Sequence, residues 1–284
     1  MPKFSIEALQ RSVYPHFHSK DPMVILGSTF GEDVALTKIG GDLLASHLDP
    51  IEGAVADIGW LAVHVASNDI ATCGARPRWL QLLVMVPNEQ DETVLAKIMA
   101  DASQAADEVG ATIIGGHTEY STNLKRPLVA VTALGPMEGK KPVLTSGTQP
   151  GDHIIVTKGI PLEGTAILAG DFSREARHRG LDKDDLKEAK NLIQYISVVP
   201  EALALAKVGA SAMHDVTDGG LLETLREMAV LSKVQITVEF EKIPMPDVCR
   251  RFAKAFDFDP LRMISSGTLL AAVPRKALEA AVAA

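Results

Sequence analysis

Two β-like runs, Val34 to Ile39 and Leu43 to Leu48, flank Gly40-Gly41, and this hairpin constrains the fold more than any other feature. Paired glycines supply the positive φ angles of a tight turn, so the two runs pair antiparallel. Helical spacing then takes over: Ile58, Leu61, Ala62, Val65 and Ala66 share one face, and Gly74 and Pro77 stop the pattern. Trp79 to Val86 is a continuous apolar run ended by Pro87, which reads as a buried strand. Asp91 to Val109 reads as a helix with acids in its first turn and Gly110 as its C-cap. Thr112 to Ile114 and Leu128 to Leu134 are two further strands. The first half is therefore an α+β unit of roughly ββαβαβ order.

Gly135 to Gly151 holds three prolines, four glycines and the pair Lys140-Lys141, and is the best linker candidate. It divides the chain into expected domains 1–140 and 147–284. Beyond it, His153 to Thr157 reads as a strand and Pro161 precedes a short helical stretch. Asp182 to Tyr195, Val198 to Lys207 and Leu221 to Leu231 are amphipathic. Gln235 to Phe240 and Thr268 to Val273 read as strands, before an alanine-rich helical end.

Composition narrows the function classes. The 284 residues are 46% hydrophobic and 23% charged, an ordinary globular profile with enough chain for a real core. A net charge of −8 argues against nucleic acid or an anionic membrane as partner. Cys73 and Cys249 are the only cysteines and form no CxxC, so neither a disulfide framework nor a cysteine zinc site is expected. Met1 to Tyr14 lacks the apolar run of a signal peptide, and no apolar stretch approaches the roughly 20 residues of a membrane helix, so a cytoplasmic protein is expected.

The common nucleotide and hydrolase signatures are missing: no GxxxxGK[ST], no GxGxxG, no HExxH and no GxSxG. Acidic and glycine-rich segments remain at the ends of elements. They are Gly31-Glu32-Asp33-Val34, His47-Leu48-Asp49-Pro50, Asn68-Asp69, Gly115-Gly116-His117-Thr118-Glu119 and His214-Asp215-Val216-Thr217-Asp218-Gly219-Gly220. Hard cations such as Mg²⁺ take carboxylate, phosphate and water oxygens. Glycines let backbone N–H groups approach phosphate. Each segment also has a plainer explanation. Asp33 and Asp49 suit turns or strand edges, Asp218 suits the cap of the Leu221 helix, and His117 and His214 suit satisfied loop histidines. Asp69, four residues after Val65, lies beside the apolar stripe, where a carboxylate needs a partner.

The order of these segments resembles the superfamily of aminoimidazole ribonucleotide synthetase, thiamine-monophosphate kinase, selenophosphate synthetase and the hydrogenase-maturation dehydratase. Gly31-Glu32-Asp33-Val34-Ala35 resembles the family's Gly-Asp-Asp-Ala-Ala turn, and Asp49 falls at its next metal-binding Asp. Ile58 to Val63, Asn68-Asp69-Ile70-Ala71 and Gly74-Ala75-Arg76-Pro77 are similar to its most specific helix. Gly115-Gly116-His117-Thr118 resembles its Gly-Gly-X-Thr phosphate-side loop, and Asp215 to Leu221 its Asp-X-Ser/Thr-X-Gly motif. The sequence departs from particular branches. His117 stands where the kinase has Asp, the N-terminus lacks the synthetase's Cys or Sec, and the C-terminus lacks the dehydratase's swinging Cys.

The resemblance implies a two-domain PurM-like α+β fold whose N-terminal domain dimerises into a β-barrel, with a C-terminal α/β domain against the same cleft. It implies ATP and Mg²⁺ as cofactors, with Asp33, Asp49 and Asp69 on the metal. Gly115, Gly116, Thr118 and Asn68 would contact the nucleotide. Asp215 and Asp218 would face the γ-phosphate and acceptor, and His117 is the candidate general base. The implied reaction is γ-phosphoryl transfer to an oxygen of a small-molecule or amide acceptor. The alternative is a nucleotide-binding accessory protein without turnover.

Overall fold

The structure is a computed structural model that describes residues 4–17, 20–52, 57–87 and 92–284. Asp91, the first residue of the expected Asp91 to Val109 helix, lies outside the described residues. The chain splits into two compact units, Met1–Pro142 and Val143–Ala284.

The first unit runs α1 (Ile6–Ser12), β1 (Val24–Leu26), β2 (Ala35–Ile39), β3 (Asp42–Ile51), α2 (Ile58–Thr72), β4 (Trp79–Pro87), α3 (Glu92–Val109), β5 (Thr112–Ser121) and β6 (Leu128–Pro136). Its strands form one six-stranded sheet in the order β1-β2-β3-β6-β4-β5. The β2–β3 hairpin closes over Gly40-Gly41, with Ile39 opposite Asp42. The β4–β5 pair is parallel. A parallel pair needs a crossover, and α3 supplies it. α2 packs on β3 and β6, and α3 packs on α2. A Cβ on Gly59 would lie 2.1 Å from the Ile98 carbonyl oxygen, so only glycine lets α2 and α3 approach this closely.

Alternation sorts the strand residues between the two faces. Leu80, Leu82, Val84 and Val86 of β4 are buried, as are Val129, Val131 and Ala133 of β6 and Ala45 of β3. Leu48, on the opposite face of β3, is 62% exposed. Ile25, Ile39, Ile114 and Tyr120 are further exposed apolar side chains on the strands of this unit.

The second unit contains β7 (His153–Val156), α4 (Leu162–Asp171), α5 (Ser173–His178), α6 (Lys183–Asn191), α7 (Val199–Val208), β8 (Ala212–Asp215), α8 (Gly220–Ser232), α9 (Asp247–Phe256), β9 (Leu269–Val273) and α10 (Leu278–Ala283). Its antiparallel sheet has the order β7-β9-β8. One apolar core joins α4, α6 and α9 through Leu162, Leu186 and Phe252. A second joins α8 to the sheet through Leu221, Leu225, Met228, Leu270 and Ala272. α6 starts at a capping box, in which Asp182 accepts from the Asp185 N–H and Asp185 from the Asp182 N–H.

Two sequence expectations change. Gln235 to Phe240 alternates like a strand, yet it carries no strand and Phe240–Lys242 is a 3-10 turn. Alternation gives a segment two faces, but a strand also needs a ladder partner, and the described residues provide none here. The strand beginning at Thr112 does not end at Ile114 but continues to Ser121. Among the described residues no helix is long and apolar enough to cross a membrane.

Candidate functional site

The first unit gathers its polar groups between β3 and α2. His47 and Asp49 are two residues apart on β3, so they share a face. Asp69 projects from α2, a helix in which every residue but Trp60 is buried. Asp69 is 6% exposed and Asn68 fully buried. One donor atom from each of His47, Asp49 and Asp69 lies within 4.8 Å of the others. His47 Nε2 is 3.5 Å from Asp69 Oδ2. Asp33 joins this group through its main chain, its carbonyl meeting His47 Nδ1. Such a set of carboxylate and imidazole donors fits a divalent cation. His47 is the donor that sequence reasoning did not assign. The signal was its i, i+2 spacing from Asp49 on a strand that packs against the Asp69 helix.

Gly115, Gly116, His117 and Thr118 lie within β5 rather than in a loop after it. The register shifts at Leu80/Gln81, just where β4 meets the glycines. A Cβ on Gly116 would sit 1.9 Å from the Leu82 carbonyl oxygen, whereas one on Gly115 meets nothing within 4 Å. Gly116 is therefore required by the β4–β5 pairing itself, while Gly115 borders open space. These residues, with Leu82, Met99, Ile113 and Ile114, line a shallow groove of about 470 Å³. His117 is exposed, and its Nε2 is 3.3 Å from Glu119 Oε2.

The second unit places His214 and Asp215 at the end of β8, both buried. The loop beyond them is braced by main chain: Val216 N–H donates to the Thr268 carbonyl, and Ser265 N–H to that of Val216. Gly220 has φ 65°, and a Cβ there would lie 2.6 Å from the Leu261 carbonyl oxygen. Asp218 does not cap α8; the N-cap is Gly219, in the left-handed region. His214 Nε2 lies 2.9 Å from Glu227 Oε2, and its Nδ1 3.8 Å from Asp215 Oδ1.

Glu163 is the group the sequence reading missed. It stands in the first turn of α4, where an acid is commonplace. It is 4% exposed, and its Oε2 accepts from the Ser266 N–H. Burial pushes its carboxyl up to about 7. The Ser266 hydrogen bonds oppose that rise, and the charges of Asp218 and Asp215 add to it.

Residues 31–137 match the model for the N-terminal domain of AIR synthase related proteins, and residues 149–284 match that for the C-terminal domain. The chain belongs to the AIR synthase-related family. Within this family it is 31% identical over 258 residues to a Methanocaldococcus jannaschii protein named for hydrogenase expression/formation, covering 87% of this chain and 73% of that one. It is 32% identical over 234 residues to the selenide, water dikinase of Myxococcus xanthus, covering 80% of this chain and 63% of the relative. The hydrogenase maturation protein HypE, solved in complex with ATP, superposes with a TM-score of 0.72 at 25% identity, covering 98% of this chain and 80% of that one. The family thus includes ATP-using members, and its two domains account for nearly the whole chain.

Proposed function

We propose that this chain binds Mg-ATP and transfers the γ-phosphoryl group to an oxygen of a small-molecule or amide acceptor. The observation that carries the reading is the meeting of His47, Asp49 and Asp69 donors within 4.8 Å on β3 and α2. The ATP complex of HypE supports the choice of nucleotide.

Asp49 and Asp69 hold the cation, with Asp33 beside them. A bound divalent ion neutralises charge on phosphate oxygens. The chain's own residues align the reactants, which is most of what phosphoryl transfer asks of a protein. Gly115 and Gly116 offer main-chain groups and Thr118 a hydroxyl to the nucleotide, while Asn68, fully buried beside Asp69, braces the metal side. His117 takes the proton of the attacking oxygen. Asp215 and Asp218 serve the acceptor side.

The second reading is a nucleotide-binding accessory protein without turnover. The burial of both thiols favours it, since neither is placed to carry a transferred group. Calorimetry with Mg-ATP tests binding, and ADP release in the presence of metabolite pools tests turnover. No heat of binding overturns both readings; binding without ADP from any pool selects the accessory role.

We also propose a homodimer through the first unit. The apolar side chains Leu48, Ile25, Ile114 and Tyr120, exposed in the single chain, support it, because monomers rarely leave such residues in water together.

A further inference from the structure

We propose that the groove between the edge of β7 and residues 234–239 is a strand acceptor, which takes an extended, uncharged, alternately apolar segment of a partner polypeptide. The groove shares no residue with the groups assigned to ATP and the acceptor, so the proposal goes beyond the function above.

The argument starts from the main chain. β7 has β9 on one side and no ladder partner on the other among the described residues. Thr157 N–H donates to the Leu269 carbonyl, so the peptide groups of His153 and Ile155 also face β9. Those of Ile154 and Val156 then point outward, because the direction alternates along an antiparallel strand. Across the groove, residues 235–239 alternate polar and apolar side chains like a strand. Residues 235–238 nevertheless make no main-chain hydrogen bond among the described residues. Asp152 to Val156 and Val234 to Glu239 line the same groove, of about 720 Å³. One strand laid between these two walls extends the sheet from both sides, and main-chain pairing of this kind is how a sheet edge captures a peptide.

The side chains narrow the occupant. Leu221 and Leu225 of α8, Ile243, and Leu278 and Val282 of α10 complete much of the lining. Val238 and Val282 are exposed in the single chain. The rim charges are already engaged: Lys242 Nζ is 2.7 Å from Glu239 Oε1, and Asp152 accepts from the Gln149 N–H at 2.9 Å. The electrostatic match is therefore to an uncharged segment, apolar at every second position. Every strand among the described residues already sits in a ladder, so a second copy has no free strand to insert.

The test uses the whole chain and an uncharged synthetic peptide, acetyl-Thr-Val-Thr-Val-Thr-Val-amide. A second peptide carries proline in place of the central valine. Amide hydrogen exchange followed by NMR reads the site. The first peptide is expected to bind saturably and to protect the amides of Ile154 and Val156. The proline peptide lacks one ladder donor and should bind about tenfold or more weakly. Val238→Lys sets a charge in the groove and should weaken the first peptide by a similar factor with the melting point unchanged. The two peptides on the wild type decide even if that variant fails to fold. Equal binding of both peptides, or binding that leaves Ile154 and Val156 exchanging as before, means a merely apolar cleft and overturns the proposal. So does the lack of binding at millimolar peptide. Protection of the two amides without peptide, lost on dilution, assigns the groove to a second copy and overturns it as well.

Discussion

Ser266 donates its main-chain N–H to Glu163 Oε2 at 3.2 Å, and this pair holds a buried acid within the electrostatic reach of Asp215 and Asp218. Burial raises the Glu163 carboxyl from its ordinary 4.5 to about 7. Between those values the folded chain holds a proton that the unfolded chain has released. Stability attributable to this group is therefore full below about pH 4.5 and falls as pH rises toward 7. The loss amounts to roughly 3 kcal/mol at one pKa unit per 1.36 kcal/mol. Glu163→Gln should flatten this slope and melt above wild type at pH 8. Wild type and Glu163→Gln losing equal stability between pH 5 and pH 8, read by urea unfolding, would place the proton elsewhere.

Asp69→Asn should leave the metal-free protein as stable as wild type or slightly more so. Carboxylates of Asp49 and Asp69 lie within 4.8 Å, and the change removes one of two like charges. The same change should abolish most of the Mg-ATP shift, since a ligand at 100 times its dissociation constant adds roughly 2.7 kcal/mol. Four melts settle it: wild type and variant, each with and without Mg-ATP. A lower melting point without ligand and an unchanged shift would mean that Asp69 is structural.

Neither cysteine should act as a carrier of a carbamoyl or cyano group. Cys249 is buried, its Sγ donates to the Pro161 carbonyl, and burial pushes its thiol up to about 11. Burial drives Cys73 to about 12. The reactive species is the thiolate, so native protein should resist iodoacetamide at pH 7.5 and label at both positions only after unfolding. Rapid native labelling of Cys249, seen by mass spectrometry, would contradict this.

Gly116→Ala should be severely destabilising, while Gly115→Ala should cost less. The added methyl at 116 would meet the Leu82 carbonyl at 1.9 Å, whereas that at 115 finds open space. Relief of such a clash requires the β4–β5 ladder to open, and a loss of about 4 kcal/mol or more is expected on the scale of strained positions. Denaturant midpoints of the two variants rank them; equal midpoints would refute the steric account.

Light scattering at micromolar concentration should give the mass of two chains. Leu48→Lys, on the exposed face of β3, should shift that mass toward one chain without lowering the denaturant midpoint of the diluted protein. A wild-type monomer would refute the dimer.

The β2–β3 hairpin, α2, β4 and α3 were legible because each carries a clear period and a stop signal. β5 was cut short because Gly115-Gly116 reads as a turn, whereas here the second glycine admits a neighbouring carbonyl. The 235–240 stretch failed the other way, since its alternation is real but pairing is not a local property. At the site, Asp49 and Asp69 were visible from motif order. His47 stands two residues before Asp49, and only the packing of β3 against α2 shows that both meet Asp69. Glu163 was hidden by its ordinary place at a helix start, and only its burial distinguishes it.

β5 is the last strand of its sheet, and its outer edge carries two side-chain-free residues in succession. Whatever lies along that edge meets peptide groups, which are the same in every sequence. Neighbouring side chains can therefore drift over evolutionary time while the peptide edge stays as it is.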